Sequence, residues 1–389
     1  MAGAETGDAA LAVAVELHQW RADISPWLMH LGRPFARPHA QKCVALRPTH
    51  KYEYYCHLIS RTHFMLRRLR AAALVLAALF TAPAIAQDAF PVTIKHVYGE
   101  TVIPAQPQRI VTWGWASHDA ALALGVVPVG IPFFAYGGDE NGVLSWDKAK
   151  FAELGVETPA ILDNAGSPPI EQIAALKPDL IIAVYSGITE DEYNLLSAIA
   201  PVVAFPGDAW GTPWRDTILI TGEAIGKKAE AAQFVADADQ FIKDEVAKYP
   251  VLAGKTFAAV AEYNGAAAVY AALDSRTKFV EDLGLVLAPG VNEQDPAKGE
   301  SFFFSQSFEI FDRLDPDVLI TFFETDEANA KFLATAGVAE SRAVAAGAVA
   351  PVIGADFVNS VSPPTALSLR WGLPKYLELL AKAAEKLAQ

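Results

Sequence analysis

Cysteine is all but missing. The 389 residues hold two, Cys43 and Cys56, and both lie before Met65. Past that point no disulfide, iron–sulfur cluster or cysteine zinc site can be assembled. Histidine is nearly as scarce: six of the eight fall within the first 86 residues, leaving only His96 and His118. Basic charge is short too, with 31 Lys and Arg against 45 Asp and Glu and a formal net charge of −14. A nucleic-acid surface is thereby excluded. Catalytic signatures are also lacking, since the chain has no G-x-S-x-G, no H-E-x-x-H and no G-x-G-x-x-G. Gly222-x-x-x-Gly226-Lys227-Lys228 is one residue short of a phosphate loop and lacks its Ser/Thr. His118 beside Asp119 suits acid–base work, but no nucleophile accompanies it.

What is present begins with an export signal. Arg67, Arg68 and Arg70 precede the apolar run Ala71–Phe80, and Ala84-Ile85-Ala86 forms a small-x-small cleavage site. From Ala71 to Ala86 there are 16 residues, with Thr81 and Pro83 among them, short of the ~20 that a spanning helix needs. No cysteine follows the run to carry a lipid. Residues 65–86 therefore read as a signal peptide cleaved after Ala86, and residues 1–64 as a disordered upstream extension from a start codon placed too early. The mature chain, Gln87–Gln389, has a net charge of −19 and only six arginines. At 52% hydrophobic and 20% charged overall, the chain can bury one large core or two modest ones.

One stretch is written twice. PIEQIAALKPDLII at 169–182 matches SFEIFDRLDPDVLI at 307–320 with an offset of 138, which pairs Glu171 with Glu309, Leu176 with Leu314 and Pro178-Asp179 with Pro316-Asp317. Each copy reads as a short helix opened by an acid, a Pro-Asp stop and a buried parallel strand. The expected fold is α/β: two Rossmann-like lobes, 87–211 and 251–389, joined by a long connecting helix over 212–250, with a ligand cleft between them. Thr212-Pro213 supplies the helix start, and Ser117 the cap of an earlier helix.

The strand ends share a habit. Trp113-Gly114-Trp115, Tyr136-Gly137, Tyr185-Ser186-Gly187, Trp210-Gly211 and Tyr263-Asn264-Gly265 each set aromatics beside glycine just past a strand. In open parallel sheets those ends line the ligand crevice, and Tyr and Trp suit a bulky, amphipathic, partly aromatic ligand. The candidate binding set is Trp113, Trp115, Tyr136, Tyr185, Trp210, Trp214, Tyr263 and Phe304, with Arg215 and Arg276 as the best-placed cations. No catalytic residue, resident cofactor or metal site is expected. Glu171 and Glu309 admit two readings, as acids favoured by a helix dipole or as a two-point charged dock.

Pro107-Gln108-Arg109-Ile110-Val111, Leu122-Ala123-Leu124-Gly125-Val126 with Pro128-Val129-Gly130, and Glu171…Leu176-Lys177-Pro178-Asp179-Leu180 carry a resemblance. So do Leu196…Ile199-Ala200-Pro201 and Ser307…Glu309…Pro316-Asp317. Over nearly all its mature length the chain resembles the class III periplasmic solute-binding proteins of ABC importers, especially those for ferric siderophores. The resemblance implies a single crossing helix, a shallow site between lobes and slight closure on binding. It also implies a monomer that is not an enzyme, with Glu171 and Glu309 meeting arginines of an ABC permease served by its ATPase. Rival cargoes are haem and a cobamide, and a rival class is an exported siderophore-processing enzyme. The arginine cluster often used for catecholates is not evident, so the siderophore's chemical type stays open.

Overall fold

The computed structural model describes residues 90–387; the extension and signal segment lie outside them. The chain enters as an antiparallel ribbon, β1 (Val92–His96) and β2 (Gly99–Ile103). Five parallel strands follow: β3 (Ile110–Thr112), β4 (Gly130–Pro132), β5 (Ala160–Leu162), β6 (Leu180–Ile182) and β7 (Val202–Val203). Helices α1 (Ser117–Ala123), α2 (Ser145–Leu154), α3 (Ile170–Ala175) and α4 (Glu190–Ser197) lie between them. The strand order is β5-β4-β3-β6-β7, so the chain builds outward from β3 on one side and then resumes on the other. Strands β3 and β6 are buried along their whole length, as unbroken branched apolar runs in a parallel sheet require.

Next come α5 (Trp214–Ala224) and α6 (Lys228–Val246). The second sheet comprises β8 (Thr256–Tyr263), β9 (Ala266–Tyr270), β10 (Val286–Leu287), β11 (Phe303–Gln306), β12 (Val318–Phe323) and β13 (Val349–Ile353). Its order is β11-β9-β8-β12-β13, with β10 beside the start of β8. Strands β8, β12 and β13 run parallel, whereas β9 pairs antiparallel with both of its neighbours, β8 and β11. Helices α7 (Ser275–Asp282), α8 (Pro289–Gln294), α9 (Asp326–Leu333), α10 (Arg342–Ala345), α11 (Ala355–Val361) and α12 (Ser368–Lys386) complete it. Two α/β lobes with separate sheets are the expected architecture.

The repeat has a physical basis that the residues alone did not disclose. Asp179 accepts hydrogen bonds from the backbone N–H groups of Gln108 and Arg109, both at 2.8 Å, pinning the start of β6 to the start of β3. Asp317 does the same for the second sheet, accepting from the Thr256 N–H at 3.0 Å where β8 begins. Lys177 and Asp315, also 138 apart, both take left-handed backbone, with φ of 48° and 39°. Each copy is thus a helix stop followed by a carboxylate that staples two neighbouring strands in register.

The connection differs from the single rod expected over 212–250. The helix breaks at Gly226, whose φ is +73°. Arg215, at the start of α5, pairs with Asp239 in the second half of α6 at 2.8 Å. Only an antiparallel hairpin brings residues 24 apart together in this way, because a straight helix would hold them ~36 Å apart. The long joining element is therefore α6 alone, about 28 Å at 1.5 Å per residue. Gly222 lies against Ala231 with no room for a Cβ, which lets the two helices close. The caps differ too. Thr212 donates its hydroxyl to the Val184 carbonyl at 2.6 Å instead of capping α5. Ser117 is the first residue inside α1 and is fully buried, and Ala116 holds the left-handed entry.

Candidate functional site

In an open parallel sheet the crevice opens where the strand order reverses. Here that point lies between β3 and β6, and both carboxyl ends carry aromatics. Trp113 and Trp115 leave β3, Tyr185 leaves β6, and the Trp115 N–H donates to the Tyr185 carbonyl at 2.8 Å. Gly114, with φ of +85°, passes so near that an added Cβ would sit 2.4 Å from that carbonyl oxygen. Glycine is the residue that permits this crossing. A pocket of about 180 Å³ sits above it, lined by Trp113, Trp115, Phe134, Gly187, Glu192 and Trp210 among others. Trp210 is half exposed and meets Tyr185 edge-on, with ring centres 6.1 Å apart.

Next to Trp210 the two lobes touch through Tyr185. The Tyr185 hydroxyl reaches Ser275 and faces Arg276. Arg276 lies over the Tyr270 ring at 4.0 Å and donates through Nε to Asp274 at 2.8 Å. Tyr270 in turn meets Phe322 edge-on at 5.8 Å. Tyr136, from the loop after β4, faces Glu324 and Tyr270, and its carbonyl accepts from the Asn359 side chain on α11. Burial pushes the phenols of Tyr136, Tyr185 and Tyr270 up from their usual range. They present O–H donors, not phenolates.

Of the ten candidate ligand residues, Trp113, Trp115 and Trp210 line the pocket, while Tyr185, Arg276 and Tyr136 lie where the two lobes touch. The other four do neither. Trp214 is buried in the main core, under the Arg215 guanidinium at 4.3 Å. Arg215 bridges Asp239 on α6 and Asp282 on α7 at 2.8 and 2.6 Å, so it clamps three helices together. Tyr263 stands exposed at the tip of the β8–β9 hairpin, and Phe304 is a core residue of β11. Arg215→Ala should lower unfolding stability by about 1–2 kcal/mol without changing cleft affinity. Paired urea melts and ligand titrations would check this, and weakened binding would return Arg215 to the site.

Glu171 and Glu309 are both exposed in the first turns of equivalent helices. A helix that leads into a parallel strand starts at the carboxyl edge of the sheet. The topology therefore sets one acid on each lobe at the cleft face, and Pro168 just before Glu171 lines the pocket.

Behind the wall lies a group that the sequence disclosed only in part. Trp146 is buried in α2, and Asp147 beside it reaches His118. His118 Nε2 lies 3.0 Å from Asp147 and 3.5 Å from Asp119, and all three side chains are buried. The Trp146 N–H donates to Asp119 at 3.2 Å, and Thr365 reaches Asp119 from the second lobe. The His118 ring packs on Phe134 of the pocket wall, with centres 4.8 Å apart. Among the described residues, these are the one set of three such side chains whose ligand atoms converge. His118 Nδ1, the ring nitrogen turned away from Asp147, has no protein partner. Burial disfavours the charged form of all three groups. Burial raises the Asp147 carboxyl to about 7 and holds Asp119 well above the usual carboxylate range, while burial lowers His118.

Two α/β lobes, a long joining helix and an aromatic cleft at the switch point define a two-lobed ligand-binding protein. Residues 110–351 match the family model described as periplasmic binding protein, and the chain belongs to that family. It is a family of binding proteins, not enzymes. The chain is 30% identical over 240 residues to the probable siderophore-binding lipoprotein YfiY of Bacillus subtilis, covering 61% of this chain and 70% of the relative. Over 147 residues it is 32% identical to the Fe(3+) dicitrate-binding periplasmic protein FecB of Escherichia coli, covering 36% of this chain and 45% of that one. The crystal structure of Streptococcus pneumoniae PiaA in complex with ferrichrome superposes with a TM-score of 0.70 at 32% identity, covering 76% of this chain and 99% of PiaA.

Proposed function

We propose that this protein captures a ferric siderophore in the periplasm and delivers it, as a monomer, to an inner-membrane ABC permease driven by its ATPase. The observation that carries the reading is the aromatic pocket at the switch point, walled by Trp113, Trp115, Phe134 and Trp210. Rings with polar tips offer flat apolar faces and neutral donors to a bulky complex of metal and organic ligand. Neither histidine is placed to bind a haem iron, since His96 is buried against Thr101 and His118 lies behind the wall. Tryptophan fluorescence titration with ferric siderophores, with haem and a cobamide as controls, tests the proposal. Quenching by haem alone, with a Soret shift, would replace it, and turnover of a ferric complex would revive the enzyme reading.

Export through a signal peptide cleaved after Ala86 belongs to the same proposal, and the N-terminal sequence of protein from a periplasmic extract should begin at Gln87. Glu171 and Glu309 dock the loaded protein on arginines of the permease. Replacing both with Lys should abolish uptake of labelled ferric complex while the purified protein keeps its ligand affinity. A parallel loss of affinity would remove them from the docking face.

A further inference from the structure

The comparisons leave the cargo's chemistry open, since FecB is named for ferric dicitrate and PiaA is seen with ferrichrome. Electrostatics of the cleft narrows it. Each arginine of the mature chain now has a location. Arg109 donates to the Leu176 and Lys177 carbonyls at the far end of β3. Arg215 clamps the hairpin, Arg342 pairs with Asp315 and Asp317, and Arg370 lies over Phe241. Arg313 sits in the turn of the second repeat copy, on the element that carries Glu309. Of these six, Arg276 is the one beside a candidate ligand residue of the other lobe, Tyr185, and its guanidinium is already engaged by the buried Asp274.

The residues lining the pocket include no Lys or Arg but do include Glu192, and Glu324 faces Tyr136 across the gap. Arg276 and Asp274 cancel, which leaves two carboxylates with no ion-pair partner among the described residues: Glu192, which caps α4 through Thr189, and Glu324. Three hydroxamates carry one negative charge each and neutralise Fe(3+). Three catecholates carry two each and leave a trianion, and citrate complexes are also anionic. In a pocket lined by no cation, the trianion meets repulsion at close range and gains no ion pair there in return.

We infer that the cleft is selective for uncharged or cationic ferric trihydroxamates and discriminates against ferric tricatecholates and ferric citrate. This rests on the siderophore reading above. The Arg276 N–H groups and the three phenols donate to the hydroxamate oxygens around the metal, and the indoles of Trp113 and Trp210 cover the organic arms. None of these contacts calls for a charged cargo.

The test is a fluorescence titration of the full mature chain with ferrichrome, ferrioxamine B, iron–enterobactin and ferric citrate, at about 20 and about 300 mM salt. The trihydroxamates should bind at least about 100-fold more tightly than iron–enterobactin, with less than about a twofold change across the salt range. In the Glu192→Gln, Glu324→Gln double variant the gap should narrow at least about tenfold; Gln at 192 still serves the capping box with Thr189. Equal or tighter binding of the tricatecholate or citrate complex would overturn the inference while leaving the siderophore reading standing. So would a gap that the double variant does not move. Silence from all four complexes would remove the siderophore reading itself, and the charge selectivity with it.

Discussion

Raising the pH from about 4 to about 7 should lower this protein's unfolding stability, on the order of a few kcal/mol, through its buried His118–Asp119–Asp147 cluster, and Asp147→Asn should remove most of that loss. The sign follows from the three buried groups. Asp147 and Asp119 have raised values in the fold, Asp147 to about 7. Between the unfolded carboxylate value and that raised one, the folded chain holds protons that the unfolded chain has released. Stability from these groups is full at low pH and declines as pH rises. His118 is lowered by burial and works the other way, weakening the fold as pH drops below its ordinary value of 6.5. Within the cluster two raised carboxyls outweigh one lowered imidazole, so it retains protons on balance; outside it the lowered His96 and the raised Glu281 oppose each other. Asp139 and Asp317, whose carboxyls are held low, titrate below this window.

In Asp147→Asn one carboxyl is gone while the side-chain oxygen facing His118 remains, so Asp119 and His118 nearly cancel and the profile should be flat to about pH 6.5. Urea unfolding at several pH values on both proteins gives the measurement. A flat wild-type profile, or a variant with the wild-type slope, would mean the cluster does not store the proton. Because the His118 ring supports Phe134 and Thr365 touches Asp119 from the other lobe, ionisation here loosens two things together: the pocket wall and the lobe junction.

The architecture was legible because its strands are written in apolar runs that only a parallel sheet buries on both faces. The 138-residue repeat declared two such sheets. Pocket location followed from the same logic, as parallel strands put their carboxyl ends, and hence Trp113, Tyr185 and Trp210, on one rim. What escaped were the pairings between distant residues. Gly226 marks the break within Thr212–Lys248, but the turn back into a hairpin lies in Arg215 finding Asp239 and Asp282, 24 and 67 residues away. The same ion pairs took Arg215 out of the cleft, where its nearness to Trp214 had suggested a ligand contact. Asp147 was hidden because α2 is polar in composition and buries only Trp146, Asp147 and Phe151. The Pro-Asp of the repeat was visible as a helix stop, while its role as a strand staple needs the partners at Gln108, Arg109 and Thr256.

Trp210→Ala should weaken cargo binding by about 10- to 100-fold, equivalent to roughly 1–3 kcal/mol, because a half-exposed indole at a pocket mouth is a typical anchoring group. A second substitution tests the geometry behind this. Gly187 lies under the ring, and a Cβ there would sit 2.2 Å from Trp210 Nε1 and 2.8 Å from Cε2. Gly187 itself lacks a positive φ, so Gly187→Val strains no backbone and must act by pushing the indole aside. Trp210 is held at a φ of 60° by its N–H bond to the Ser186 carbonyl, 2.9 Å long, so the ring cannot follow a backbone shift cheaply. Gly187→Val should therefore cost nearly as much affinity as Trp210→Ala, with thermal melts showing that both variants fold. In the double variant the losses should not add, because the valine then displaces nothing. A fully additive cycle would mean that Gly187 acts on the cargo directly, and that the indole is not held over it as the structure places it.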